Sequence, residues 1–294
     1  MPTLECVPNF SEGRDKNIIE KIVHHVRDCA EVEILGLHSD SDHNRSVLTL
    51  MGEPEDLKDA AFALCEKAIE LINIYKHTGV HPFIGAVDVI PFVPLKGASM
   101  AVASKAAVEL GTRVWNELKI PVYLYGEASF LPHRSVLANV RRGGLSALKE
   151  EIESEERYPD IGDPALHPKA GAVAIGARTF LIAFNVVLNS KDLVFAKEIA
   201  KNIREKHGGL KGVQALGVPL ESRGGLVQVT VNITDHKETG IKEVFNSIRA
   251  KAKARGVEVM DSEIVGLVPA DAVFPHMDKY LNLRDFNESK ILKV

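Results

Sequence analysis

Cysteine is scarce in this chain of 294 residues: there are three, Cys6, Cys29 and Cys65, and no two stand in a CxxC or paired spacing. An odd number without pairing excludes a disulfide framework and reads as buried thiols. A basic excess is missing as well. The 36 Lys and Arg are outnumbered by 40 Asp and Glu, for a net charge of −4, so no nucleic-acid footprint is present and no nucleic-acid partner is expected. Long hydrophobic runs are also lacking. The most apolar stretch, Gly171 to Leu188, is broken by Arg178 and Asn185 and reads as two strands rather than a membrane span. The opening MPTLECVPNF carries neither the charged region nor the long apolar region of a signal peptide, which makes the cytoplasm the expected location. There is no GxGxxG and no phosphate-binding loop.

What remains is 45% apolar and 26% charged residues, the composition of a globular chain. Its length supports a core that needs no metal or disulfide staple. Apolar and β-branched runs predict strands at Leu4–Pro8, Val32–His38, Ser46–Met51, Val87–Val93 and Val122–Tyr125. Helical stripes lie between them: Ile18, Ile19, Ile22, Val23 and Val26, then Leu57, Ala61, Leu64, Ala68 and Leu71 behind Pro54, then a third from Met100 to Leu118.

The same plan returns in the second half. Strands are predicted at Phe180–Val187, Val213–Val218, Leu226–Ile233 and Val257–Val265, with helices at Asp192–Lys206 and around Ile241, Val244, Phe245 and Ile248. The order β-α-β-β-α-β, twice, is the split β-α-β plan. The expected fold is α/β (α+β): two tandem ferredoxin-like subdomains with mixed sheets and a ligand groove between them. Pro and Gly concentrate between Tyr158 and Gly176, which sets the expected subdomains at 1–176 and 177–294.

Three segments carry candidate chemistry. His77 to Pro94, HTGVHPFIGAVDVIPFVP, holds two histidines four apart. Gly79 and Pro82 argue against a helix there, and the Glu of a zinc-protease motif is absent, so no metal is expected. The segment reads instead as a loop entering a strand, with His81 extended by the following proline and placed for proton transfer. A histidine that merely satisfies backbone groups would look the same. Ser39 to Ser46, SDSDHNRS, is a polar turn between two strands; a solvated turn accounts for it, while Arg45 could hold a carboxylate. Val7 to Asp15, VPNFSEGRD, opens a helix with Ser11 and Asp15 as candidate caps. In the second half, Asn185, Gln228 and Asn232 interrupt apolar strands, and the last two share a sheet face.

Together these motifs resemble the formiminotransferase family over essentially the whole chain. The resemblance rests on ECVPNFSEGRD (Glu5 to Asp15), DHNRS (Asp42 to Ser46), HPFIGAVDVIPFVP (His81 to Pro94), PVYLYGE (Pro121 to Glu127), YPDIGDP (Tyr158 to Pro164), GARTFLIAFNVVL (Gly176 to Leu188) and VGLVP (Val265 to Pro269). It implies transfer of a formimidoyl group between N-formimidoyl-L-glutamate and tetrahydrofolate, a step of histidine degradation that feeds one-carbon metabolism. Tetrahydrofolate is a co-substrate, and members form homodimers.

By that resemblance His81 is the catalytic histidine. The folate-contacting segment falls on Gly162, Asp163, Pro164, Ala165, Leu166, His167, Pro168, Lys169, Ala170 and Gly171, where the run of residues differs from that of mammalian members. His38 stands where mammalian members carry Asp, so Asp40 or Asp42 is expected to orient His81. Substrate-groove candidates are His38, Asn44, Arg45, Arg178, Asn185, Gln228 and Asn232, with Lys169 among the cations that would meet substrate carboxylates. The chain ends at Val294, leaving no room for the cyclodeaminase domain of fused members, so no ammonia-releasing step is expected. Rival readings on the same residues are formyl transfer from 5-formyltetrahydrofolate to glutamate, a folate-binding module without turnover, and a sensor of an amino acid.

Overall fold

Caps and apolar stripes set the helices in the computed structural model, which describes residues 2–292. Helix α1 (Lys16–Cys29) follows strands β1 (Leu4–Cys6) and β2 (Asn9–Phe10). It starts where the Asp15 carboxylate accepts the backbone N–H groups of Asn17 and Ile18, and it buries Ile19, Ile22, Val23 and Val26. Ser11 does not cap it; its hydroxyl donates to the Gly85 carbonyl at 2.7 Å. Strands β3 (Glu33–Asp40) and β4 (Arg45–Gly52) form a hairpin, followed by α2 (Pro54–Leu71) with proline in its first turn. Alanines on the buried face of α2 let it lie close to its neighbours.

Strand β5 (Val87–Pro94), helix α3 (Met100–Arg113) and strand β6 (Val122–Gly126) come next. The third helix is shorter than its stripe predicts: α-helical bonding stops at Arg113, and a wider turn over Val114–Leu118 closes at Lys119 with φ +56°. Helices α4 (Leu137–Val140) and α5 (Gly144–Glu151) precede strand β7 (Val173–Ala177).

These elements make the first of two units, which runs to Arg178; the second starts at Thr179. In the first, β3, β4, β1 and β5 pair antiparallel in that order, with β2 also between β4 and β5. That is the ferredoxin-like arrangement. Strand β7 then adds parallel to β5, and β6 parallel to β7. Helices α1, α2 and α3 contribute to the core on one face. Val140 of α4 and Leu148 of α5 cover Val89, Tyr123 and Ala174 on the other. Cover on both faces explains why β5 and β7 read as continuous apolar runs instead of alternating.

The second unit comprises β8 (Ile182–Leu188), α6 (Leu193–Ile203), β9 (Val213–Leu220), β10 (Leu226–Ile233), α7 (Ile241–Ala254) and β11 (Val259–Val265). Its four-stranded sheet runs β11-β8-β10-β9 and is antiparallel rather than mixed as expected, and a separate parallel pair joins Val268–Pro269 to Ile291–Leu292. Phe184, Val186, Val229, Val231, Ile199 and Phe245 meet in its core. Of the three thiols, Cys6 and Cys65 are buried as expected, but Cys29 is exposed, because it falls outside the buried stripe at the last position of α1.

Candidate active site

Three segments far apart in sequence meet at the first unit's β3–β4 turn. Asn44, at the turn with φ +47°, accepts the Gly13 N–H on its side-chain oxygen and donates to the Thr78 carbonyl at 2.9 Å. Val80 N–H donates to Asp42 O at 3.2 Å, and Arg14 donates to Ser41 O and to the Thr78 hydroxyl. The polar turn, the first βα loop and the histidine loop are therefore one hydrogen-bonded body.

His81 sits on that body just before β5. Its Nδ1 lies 2.7 Å from the Pro82 carbonyl oxygen. A carbonyl only accepts, so Nδ1 carries the proton and Nε2 keeps its lone pair. Desolvation pushes His81 well below the ordinary histidine range, and Arg45, Arg141 and His43 push it further; only the Pro82 hydrogen bond acts the other way. The imidazole is thus neutral near pH 7. The carboxylate of Asp40 does not hold this ring as expected from the sequence; its Oδ1 accepts the His43 backbone N–H at 2.7 Å. The His43 ring stands 6.0 Å from that of His81, centroid to centroid, with its Nε2 buried and without a hydrogen-bond partner.

Beneath the loop lies Asp88, fully buried. Its Oδ1 accepts the Ile84 N–H at 2.9 Å, and its Oδ2 accepts from Arg45 Nη1 at 2.6 Å and from Arg141 Nη2. Arg45 is also tied through Nε to Asn9 Oδ1 at 3.0 Å. Burial and the neighbouring Arg141 push Arg45 down to about 10, although Asp88 opposes them. Asp88 bridges three parts of the unit: the strand that carries it, the hairpin and the α4–α5 segment. Sequence reasoning singled out Arg45 but not Asp88, Arg141 or His43. The Asp88 signal was its position in an otherwise apolar strand; Arg141 had none.

A cavity of about 630 Å³ opens beside His81. Its walls include Tyr75, His77, His81, Phe83, Arg141 and Ser146. His77 packs edge-on against Phe83, with ring centroids 4.5 Å apart. The loop from Gly162 to Gly171 runs alongside, though none of its residues lines the cavity. Its last part is a tight turn: His167 and Gly171 exchange backbone hydrogen bonds, and His167 Nδ1 accepts the Lys169 and Ala170 N–H groups. The Tyr75 hydroxyl donates to the His167 carbonyl at 3.1 Å. Lys169 Nζ is spent on the Glu70 carbonyl. Gly85 passes so close to this turn that a Cβ there would lie 1.8 Å from the Ala172 carbonyl oxygen.

The remaining sequence candidates stand elsewhere. His38 lies on β3 opposite Val47. Arg178 closes β7 with its N–H on Phe92 O, at the opposite end of β5 from Asp88, where its charge acts on Glu5 and Tyr125. In the second unit, Asn185, Gln228 and Asn232 occupy the sheet face opposite the core. Asn185 donates to Glu263 Oε1 at 2.9 Å, and Arg284 Nη2 donates to Glu263 Oε2 at 2.9 Å. Gln228 is buried with its amide nitrogen unpartnered, whereas Asn232 is exposed.

Comparison with known proteins places two domain models on the chain. "Formiminotransferase domain, N-terminal subdomain" matches residues 3–178, and "Formiminotransferase domain" matches residues 183–292. A glutamate formimidoyltransferase of Thermoplasma acidophilum is 44% identical over 100% of this chain and 97% of its own length. One of Streptococcus pyogenes is 39% identical over 98% of this chain and 96% of its own. The formimidoyltransferase-cyclodeaminase of Rattus norvegicus is 39% identical over 92% of this chain and 51% of the longer protein.

Proposed function

The chain belongs to the formiminotransferase family, and on that premise we propose that it moves a formimidoyl group between N-formimidoyl-L-glutamate and tetrahydrofolate, with His81 as the proton shuttle. The observation that carries the role of His81 is its tautomer. Nδ1 is committed to the Pro82 carbonyl, and a neutral ring offers the Nε2 lone pair at the edge of a cavity.

The chemistry then has one moving proton. N5 of tetrahydrofolate attacks the formimidoyl carbon, and a tetrahedral intermediate forms. The proton on N5 passes to His81 Nε2. His81 returns it to the glutamate nitrogen, the bond from that nitrogen to carbon breaks, and glutamate leaves as an amine. An amine leaves poorly unless protonated, so one group that takes and returns the proton serves both steps. Holding both substrates in a single cavity supplies the rest by making the encounter unimolecular.

The turn at His167–Gly171 supports the Gly162–Gly171 loop as a folate contact, since it is bonded to Tyr75 on the cavity wall. Asn44 and Arg45 act by positioning, because Asn44 Nδ2 and Arg45 Nε and Nη1 are bonded within the protein. Gln228 is the buried candidate of the second unit whose amide donor is left for a polar ligand. No described helix is long and apolar enough to cross a membrane. A cytoplasmic homodimer is the assembly the family resemblance favours, and light scattering of the purified protein tests it.

The experiment is a transfer assay with N-formimidoyl-L-glutamate and tetrahydrofolate, resolving folate products by mass, with His81→Ala alongside. Product from the native chain and a loss of roughly 10²- to 10⁴-fold in the variant are expected. A folded His81→Ala protein with normal turnover would remove His81 from the chemistry. No product from the native chain would remove the proposed reaction.

A further inference from the structure

The charges beneath His81 do not balance. Arg45 and Arg141 share one carboxylate, and they share the same oxygen of it, Asp88 Oδ2. The strongest charge effects on His81 come from Arg45, Arg141 and His43, and none of these groups is anionic. A partly buried site with two guanidinium groups and one carboxylate holds an excess positive charge, which is costly unless an anion joins it.

The two arginines are not equivalent. Arg45 is enclosed, with Nε on Asn9 and Nη1 on Asp88, and does not line the cavity. Arg141 does line it. Its Nη2 is anchored on Asp88, while its Nε is buried and has no hydrogen-bond partner. The guanidinium is therefore pinned at one end with donor capacity left over. Two consecutive glycines in the left-handed region, Gly143 at φ +73° and Gly144 at φ +65°, turn the chain from α4 into α5 and bring both Arg141 and Ser146 to the same wall. A Cβ at Gly143 would meet that of Ala147 at 2.3 Å. Lys149, also on this wall, adds a further cation.

We propose that Arg141 is the specificity residue of this site, binding the α-carboxylate of N-formimidoyl-L-glutamate in the cavity next to His81. The inference rests on the formimidoyl-transfer reading above. Both substrates carry glutamyl carboxylates, so the shared chemistry is a carboxylate on a guanidinium. Distance decides between them. In formimidoylglutamate the α-carboxylate is attached to the carbon that bears the transferring nitrogen. In tetrahydrofolate the carboxylates are separated from N5 by the whole aminobenzoyl arm. Arg141 and His81 line one cavity, and the charge of Arg141 acts on His81, so a carboxylate held by Arg141 belongs to the substrate whose reacting nitrogen is adjacent to it. Binding there compensates the excess charge and sets the leaving nitrogen near Nε2.

The test compares N-formimidoyl-L-glutamate with N-formimidoyl-4-aminobutyrate, which lacks only the α-carboxylate. Native protein, Arg141→Lys and Arg141→Met are assayed with each. The native protein should prefer the glutamate compound by roughly 10- to 100-fold in kcat/KM, the range of a hydrogen-bonded charge. Arg141→Met should lose most of that preference through a higher KM for the glutamate compound; the preference is read as the ratio of kcat/KM on the two compounds, so a general loss of turnover cancels from it. Arg141→Lys keeps a cation for Asp88 and protects the fold; it should lose part of the preference. Either folded variant keeping the native preference, or shifting only the KM for tetrahydrofolate, overturns the proposal. Calorimetric titration of native protein and Arg141→Lys with glutamate and with 4-aminobutyrate needs no turnover. It tests the subsite even if formimidoyl transfer itself fails, and equal affinity of the native protein for the two ligands would also overturn it.

Discussion

His81 donates its Nδ1 proton to the carbonyl of the very next residue, Pro82, across 2.7 Å. No carboxylate is needed to fix the tautomer, because the backbone of the extended loop does it. The carbonyl raises the ring's affinity for a proton, as a carboxylate would, but burial and the neighbouring arginines outweigh it and leave the ring neutral.

The pH dependence follows from that neutrality. Burial and the adjacent arginines depress the folded-state value of His81 below the reference of 6.5. Between the reference and the folded value the unfolded chain binds the extra proton, so this contribution to stability is present above about 6.5 and is lost as pH falls toward the folded value. The acid limb of kcat/KM should lie below 6.5 for the native protein. In Arg141→Met it should move up, because a cation that opposes protonation is gone. An acid limb at or above 6.5 in the native enzyme would contradict the charge arrangement described for the site.

Asp88→Asn should be among the most damaging single substitutions in the first unit. Burial raises the Asp88 value, but Arg141 and Arg45 and their hydrogen bonds outweigh it, so the group is held below 3.8 as an anion. Its stabilising contribution is therefore present above that reference and lost as pH falls through the folded value. Neutralising it leaves two largely buried guanidinium groups facing each other, at a cost of about 3–5 kcal/mol. Urea denaturation at pH 7 checks this, and a loss under about 1 kcal/mol would place Asp88 among exposed pairs instead.

Gly85→Ala should separate the histidine loop from the turn beside it. The added Cβ would sit 1.8 Å from the Ala172 carbonyl oxygen, a backbone atom that cannot rotate away. Either the loop or β7 must shift, and Ala86 N–H stands to lose its bond to Ala170 O. The expected outcome is a lower melting temperature together with reduced turnover, since a displacement of about 1 Å at a catalytic group can cost about 10²-fold. Wild-type melting and turnover would mean that the backbone there yields easily.

Glu5 offers a prediction separate from catalysis. It is buried on β1, and desolvation raises its value to about 7 against the opposing charge of Arg178. A raised carboxyl favours the folded state while protonated, so its contribution is complete below about 4.5 and is lost as pH rises through about 7. Glu5→Gln should flatten that decline and stabilise the protein above pH 7 by up to about 3 kcal/mol. Melting curves at pH 5 and pH 8 measure it; equal shifts at both would show that Glu5 does not titrate in this interval.

Much of the architecture was legible from local pattern. Period-2 and period-3.6 apolar spacing marks β8 to β11 with α6 and α7 to within a few residues, and likewise β1, β3 to β6 and α1 to α3, whereas the separate strand β2 and the helices α4 and α5 were not marked. Pattern of this kind is local, because each residue reports which face of its own element is buried. His81 was legible for the same reason: its neighbours Gly79 and Pro82 restrict the backbone on the spot. The end of α3 was not, since the apolar stripe continues past the point where the hydrogen bonding widens.

What the linear order left open were the meetings across long separations. Nothing local says that β7 slots between β5 and β6, that Arg45 and Arg141 reach one oxygen of Asp88 from 43 and 53 residues away, or that His43 lies over His81. An arginine in a polar helical turn reads as a surface charge until the fold buries it. Local sterics and hydrophobic spacing write the elements into the chain. The buried charge cluster exists only once packing has excluded water from it, and that exclusion joins the two arginines to one carboxylate and lowers the proton affinity of the histidine beside them.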